Sequence, residues 1–89
     1  MDLDHLLVRF FGTSEIAGLT PEQLAAGAER LQLQFGLEKD GGRRFALWSL
    51  MYMLGMAPEI EIAFYKDADR DAAREFMNMA DREMRLANT

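Results

Sequence analysis

The residues able to do chemistry in this chain are few, and their spacing brings little together. Of 89 residues, one is histidine and none is cysteine, so disulfides, thiol nucleophiles and cysteine metal sites are excluded. His5 has no second imidazole to pair with and no nucleophile signalled beside it; with Asp4 and Arg9 close in sequence, it reads as a solvated side chain. Asp67, Asp69 and Asp71 alternate as the first ligands of an EF-hand loop do. That loop then needs glycine at its sixth position and a bidentate glutamate at its twelfth. Here Ala72 and Asn78 stand there, which removes both the turn and the closing ligand, so the segment reads as a charged helix start. Met51, Met53 and Met56 have a spacing that soft thioether ligands could offer to copper(I), but methionine inside an apolar helix fills irregular gaps in a core. No metal or other cofactor is expected.

Lys39, Arg43 and Arg44 are the basic cluster of the chain. A recognition helix would have to follow them with polar and basic side chains, and the residues that follow are apolar. The cluster reads as a solvated loop with at most a weak affinity for carboxylate or phosphate. Glu59 and Glu61, with Arg43 or Arg44, flank the two ends of the apolar segment. They are the one carboxylate/arginine set from which a small enzyme or enzyme subunit could be built, and they would need further residues to do it.

The element that must position everything else is the apolar run 45–57, in which Ser49 is the one polar side chain apart from the aromatic heads of Trp48 and Tyr52. A helix that is apolar on every side must be covered on every side. The run falls short of the roughly 20 apolar residues that span a bilayer. It predicts a central helix over about 43–56, entered from a 37–42 loop with Asp40 as N-cap, and left through Gly55 and Pro58.

The flanking segments have the patterns of covering helices. Leu3, Leu6, Leu7, Phe10 and Phe11 fall on one helical face, with Asp2 or Asp4 able to cap the start and Gly12 placed to end it. Thr20-Pro21-Glu22-Gln23 predicts an N-cap, a first-turn proline and a capping box, with Leu19 and Leu24 spaced as a hydrophobic staple. That helix presents Leu24, Ala28, Leu31 and Phe35 on one face, with Gly36 as its expected stop. Beyond Pro58, Ile60, Ala63 and Phe64 share a face, whereas Ala73, Phe76, Met77, Ala80, Met84 and Ala87 centre on nearly the opposite one. One straight helix could not bury both sets, so a break is expected near 66–69, with Asp67 or Asp69 capping the second helix. A strand over 59–62 would find no partner run. On the last helix, Asp71 with Arg74 and Asp81 with Arg85 are spaced to pair along the surface.

The sequence therefore predicts an all-α fold, a small bundle of four to five helices forming a single domain over 1–89. A net charge of −5 argues against nucleic acid and anionic membrane as partners. The start of the chain is acidic and has no basic stretch leading to a cleavage site, which makes the cytoplasm the expected location. The apolar inventory, with 7 methionines and 49% hydrophobic residues, suits an interaction or regulatory module without catalytic activity that binds another protein, itself as a homodimer, or both. The side chains expected to form that surface are Val8 and Leu33, which lie off the main faces of their helices, with Trp48, Met51, Tyr52 and Met56 of the central helix.

Thr20→Ala is expected to lower stability by about 1 kcal/mol, since it removes the cap that fixes the helix entry. An unchanged urea midpoint would mean that the helix begins elsewhere.

Overall fold

A computed structural model describes residues 3–87, and the side chains of all of these except 3, 84, 86 and 87. Five α-helices follow one another: α1 (Leu3–Phe11), α2 (Pro21–Leu37), α3 (Gly41–Met53), α4 (Ile60–Ala63) and α5 (Asp67–Ala87). A single turn of 3-10 helix, Ile16–Gly18, lies between the first two. No strand occurs among the described residues. Among them, too, no helix is long and apolar enough to cross a membrane.

The central position belongs to α3, which packs against α1, α2 and α5. Leu47, Trp48, Ser49, Leu50 and Met51 are all buried, and five consecutive residues at about 100° each go round the whole helix. The chain itself covers the segment on every side. Ser49, the one buried polar side chain of this stretch, donates its hydroxyl to Phe45 O at 2.9 Å and so is satisfied within the helix.

Trp48 is the centre of the packing. Its ring stacks on Tyr52 (5.5 Å between centroids, 16° between planes) and meets Phe64 and Phe76 edge-on at 5.6 and 6.2 Å. Phe45 closes the ring of aromatics at 6.3 Å, and the indole Nε1 donates to Pro58 O at 3.0 Å. The contacts to Phe64 and Phe76 explain the path of the last third of the chain. Both phenylalanines must reach one indole from opposite faces of their helical stretches, and the break that permits it falls at 64–66, just before the expected 66–69. Neither Asp67 nor Asp69 is the cap expected there. The Lys66 carbonyl accepts the first helical bond, from Arg70 N. Both aspartates lie in the first turn of α5, where the helix dipole favours them. Met84 and Ala87 of the expected apolar face, and the capping alternative Asp2, lie outside the described residues or side chains.

Local signals set most helix ends. Thr20 Oγ1 accepts from Gln23 N at 3.1 Å, and Gln23 Oε1 accepts from Thr20 N at 2.8 Å, so the capping box is complete. Asp40 Oδ2 accepts from Arg43 N at 2.9 Å as the N-cap of α3. Helix α1 ends where Gly12, at φ +78°, donates to Val8 O at 2.8 Å. In α3 the Gly55 N–H bonds Tyr52 O and the Met56 N–H bonds Met51 O, the paired bonds of a Schellman stop, with Gly55 at φ +75°. The central helix is thus shifted from the expected 43–56 to Gly41–Met53. Gly41 and Gly42 form its first turn, and the connection before it shortens from 37–42 to 38–40.

Two further expectations are corrected here. Gly36 does not stop α2, which continues to Leu37; Glu38 N still donates to Gln34 O and Phe35 O, and Gly36 does not adopt positive φ. Asp81 is engaged by the Tyr52 hydroxyl at 2.6 Å rather than by Arg85, because it lies where α5 crosses the end of α3. Asp71 does pair with Arg74, at 3.1 Å, and Arg74 reaches Glu61 as well at 3.4 Å.

The α1–α2 crossing depends on a glycine. Gly27 is buried, and a Cβ there would run into the Phe11 ring and come within 2.9 Å of Phe10 O. The obstruction includes backbone, so it cannot be relieved by a rotamer change alone. Gly27→Ala is expected to destabilise the fold by about 1–3 kcal/mol, despite alanine's better helix propensity. A raised urea midpoint would show that α1 does not lie this close to α2.

Candidate functional site

Two arginines organise the surface around the junction of α2, α3, α4 and α5. Arg44 begins in the first turns of α3, where its charge would oppose the helix dipole. Its side chain carries the guanidinium back to other helix ends. One terminal nitrogen donates to Phe35 O at 2.9 Å and Glu38 O at 3.3 Å, and the other to Ala63 O at 2.6 Å. The guanidinium plane lies over the Phe35 ring, 4.1 Å from its centroid. Arg70 holds the same short helix from the α5 side, with Nε donating to Phe64 O at 2.8 Å and a terminal nitrogen to Glu61 O at 3.2 Å. A four-residue helix has too few internal hydrogen bonds to stand alone, and these two forks occupy carbonyls at and near its C-terminus.

This overturns the reading of Arg44 as part of a solvated basic loop. The sequence signal was absent: nothing in the pair Arg43-Arg44 tells which one turns inward. The face of α3 decides it, since Arg44 lies next to the α2 terminus and Arg43 remains exposed.

Depressions lie on either side of the Arg44–Phe35 junction. One is a cleft of about 360 Å³ lined by Glu38, Lys39, Gly41, Arg44, Ala63, Phe64, Tyr65, Lys66 and Asp69. The other is an open groove of about 400 Å³ between α2 and the α3–α4 connection, lined by Gln32, Phe35, Met51, Met56, Ala57, Pro58 and Ile62. Gln32 is the one polar side chain in the groove. Ile62 stands at its edge, 73% exposed.

The side chains expected to form an interaction surface are distributed unevenly about these features. Val8 and Leu33 are exposed at 51% and 66%, on helix faces away from the core. Trp48 and Met51 are 1% and 2% exposed, because the aromatics of α3, α5 and the α4–α5 link, together with the α2 and α1 faces, close over α3 within one chain. Trp48 is therefore not on the surface, and Met51 contributes only the floor of the groove. Tyr52 is half-buried, and Met56 is half-buried in the groove wall. Ile62 was missed. Its signal was present: Ile60, Ala63 and Phe64 share the inward face of α4, which leaves Ile62 outside.

The carboxylate/arginine set does not converge. Glu61 faces Arg74, Arg44 is committed to carbonyls, and Glu59 is an exposed cap residue without a side-chain capping bond. Met53 is partly exposed and Met51 buried, and Asp67, Asp69 and Asp71 sit on the opening turns of α5 rather than in a loop. His5 is exposed on α1.

The Tyr52 phenol is raised above its ordinary 10.0, first because Asp81 accepts its proton in a hydrogen bond, then through burial and the Asp81 charge. This ties the far half of α5 to α3 while the phenol stays protonated.

Arg44→Lys keeps the charge and loses the fork. A single ammonium on a flexible stem cannot reach three carbonyls in two helix termini at once. The variant is expected to lose about 2–3 kcal/mol, the scale of hydrogen bonds made by charged groups. A urea midpoint equal to that of the unmodified chain would show that the junction holds without the guanidinium.

No family model, no curated protein and no solved structure matches this chain.

Proposed function

We propose that this protein is a small interaction module without catalytic activity, acting in the cytoplasm, that pairs with a second copy of itself through the groove beside Ile62. The observation that carries this reading is the adjacency of a projecting apolar side chain and an apolar depression on one face. Ile62 stands at the edge of the groove formed by Phe35, Met51, Met56, Ala57 and Pro58. A two-fold axis beside such a pair places each Ile62 in the groove of the other copy, the self-complementary arrangement that closed dimers need. The knob is held firmly, since α4 is clasped by Arg44 and Arg70.

The magnitudes favour a weak dimer. Ile62 and Met56 from two copies are four side chains; about 1.5–3 kcal/mol is the upper bound for each on burial, and the half-buried Met56 contributes less than Ile62. Their sum is of the same order as the roughly 4–15 kcal/mol cost of association, which suits a reversible, concentration-dependent pair. A Met-lined groove also repacks readily around related apolar surfaces, so the same face serves a regulatory partner equally well.

Light scattering coupled to size exclusion tests the reading. The unmodified chain is expected to approach twice the mass of one chain at high micromolar concentration. Ile62→Glu should return it to a single-chain mass with unchanged helical circular dichroism, and Val8→Glu, on the far side of α1, should leave the dimer intact. A single-chain mass at every concentration, or a dimer that survives Ile62→Glu, would overturn it.

A further inference from the structure

We propose that the cleft at the α2–α3 and α4–α5 junctions binds a small aromatic anion: one phosphate or carboxylate group carried on a planar ring. The site is separate from the apolar groove and concerns the other side of the Arg44–Phe35 junction.

The first ground is charge left without a carboxylate. Lys39, Arg44 and Lys66 all line the cleft, in a chain whose net charge is −5. Among the described residues, none of the three is held in an ion pair within 4.0 Å, whereas Arg74 is paired with both Glu61 and Asp71. Arg44 is the best prepared of them. Its guanidinium is half-buried and fixed against the Phe35 ring, and its three hydrogen bonds all go to carbonyls. A guanidinium has five N–H donors, so two remain for an incoming oxygen anion. Charge-assisted bonds from such a fixed fork are the strong ones, and little entropy is lost in making them.

The second ground is the wall. Tyr65 lines the same cleft and is 91% exposed, beside Phe64. An aromatic side chain so exposed offers a stacking face for a ring and gains by being covered. The size, about 360 Å³, lies near the lower end of the range for small-molecule sites, which suits one ring with its substituent.

The third ground limits the ligand. Glu38 and Asp69 also line the cleft, and both would repel a second anionic group placed beside them. They can accept hydrogen bonds from N–H or O–H groups on the ring. A ligand with a single anionic group is therefore selected over a polyanion such as a nucleic-acid backbone.

Titration of the isotopically labelled chain with phenyl phosphate, followed by amide NMR at constant ionic strength, tests this. Phenyl phosphate is expected to shift the Gly41, Tyr65 and Lys66 amides saturably at millimolar concentration, and inorganic phosphate to bind several-fold more weakly. Replacing both exposed lysines, Lys39→Ala with Lys66→Ala, leaves the Arg44 clasp in place and should weaken phenyl phosphate by about tenfold, as expected for loss of bonds to charged donors. Tyr65→Ala should bring phenyl phosphate down to the affinity of inorganic phosphate. Shifts that do not saturate, an unchanged affinity in the double variant, or equal binding of phenyl phosphate and inorganic phosphate to the unmodified chain would overturn the proposal.

Discussion

Trp48 has to be covered, and the rest of the chain is arranged to do it. The indole lies on a helix with no polar face to turn toward water, so the neighbours it needs must come from sequence both near and distant. Phe45 and Tyr52 come from its own helix, Phe64 from the link between α4 and α5, and Phe76 from α5 itself. Its one polar atom is satisfied by Pro58 O, at the point where the chain turns back after α3. Tertiary packing of this kind, rather than helix propensity, stabilises most short helices. The fold is a solution to one burial problem, and the break at 64–66 is part of that solution.

Burial alone would leave the break unsupported. A helix of four residues next to a three-residue link exposes carbonyls with no partner in the ladder, and unpaired buried carbonyls cost free energy. Arg44 and Arg70 supply the missing donors from α3 and α5. Both are used as hydrogen-bonding forks, not as members of ion pairs. This arrangement joins structure to function. The guanidinium that closes the core at Phe35 and Ala63 also lines the cationic cleft, and the Phe35 ring it covers lines the apolar groove. The same junction fixes Ile62 where it can act as a knob.

The surface divides accordingly. Exposed apolar side chains are scattered, with Val8, Leu33, Leu37, Met53, Tyr65 and Met79 lying away from the groove, and Ile62 is the one of them that lines it. Along α5, Arg74 answers Glu61 and Asp71. Three cations, Lys39, Arg44 and Lys66, line the cleft at the α2–α3 and α4–α5 junctions. The two depressions therefore differ in chemistry although Arg44 of one lies against Phe35 of the other.

The sequence by itself determined the helices and most of their ends, because these depend on neighbours a few residues apart. Thr20, Pro21 and Gln23 define an entry, Gly12 and Gly55 define exits, and the opposed faces of Ile60–Phe64 and Ala73–Met77 demand a break. It also determined that the apolar run 45–57 supplies the central helix, of which residues 47–51 are the buried part, since an apolar circumference has to be covered. Tertiary structure alone decided what covers that circumference and which side chains are left over. Whether Trp48 is closed by its own chain or by a partner depends on Phe64 and Phe76 arriving from 16 and 28 residues away, and helical spacing says nothing about that distance. Arg44 was illegible for the same reason. Its acceptors are the backbone carbonyls of residues 35, 38 and 63, groups that every residue carries and that become specific only when the chain brings them to one point.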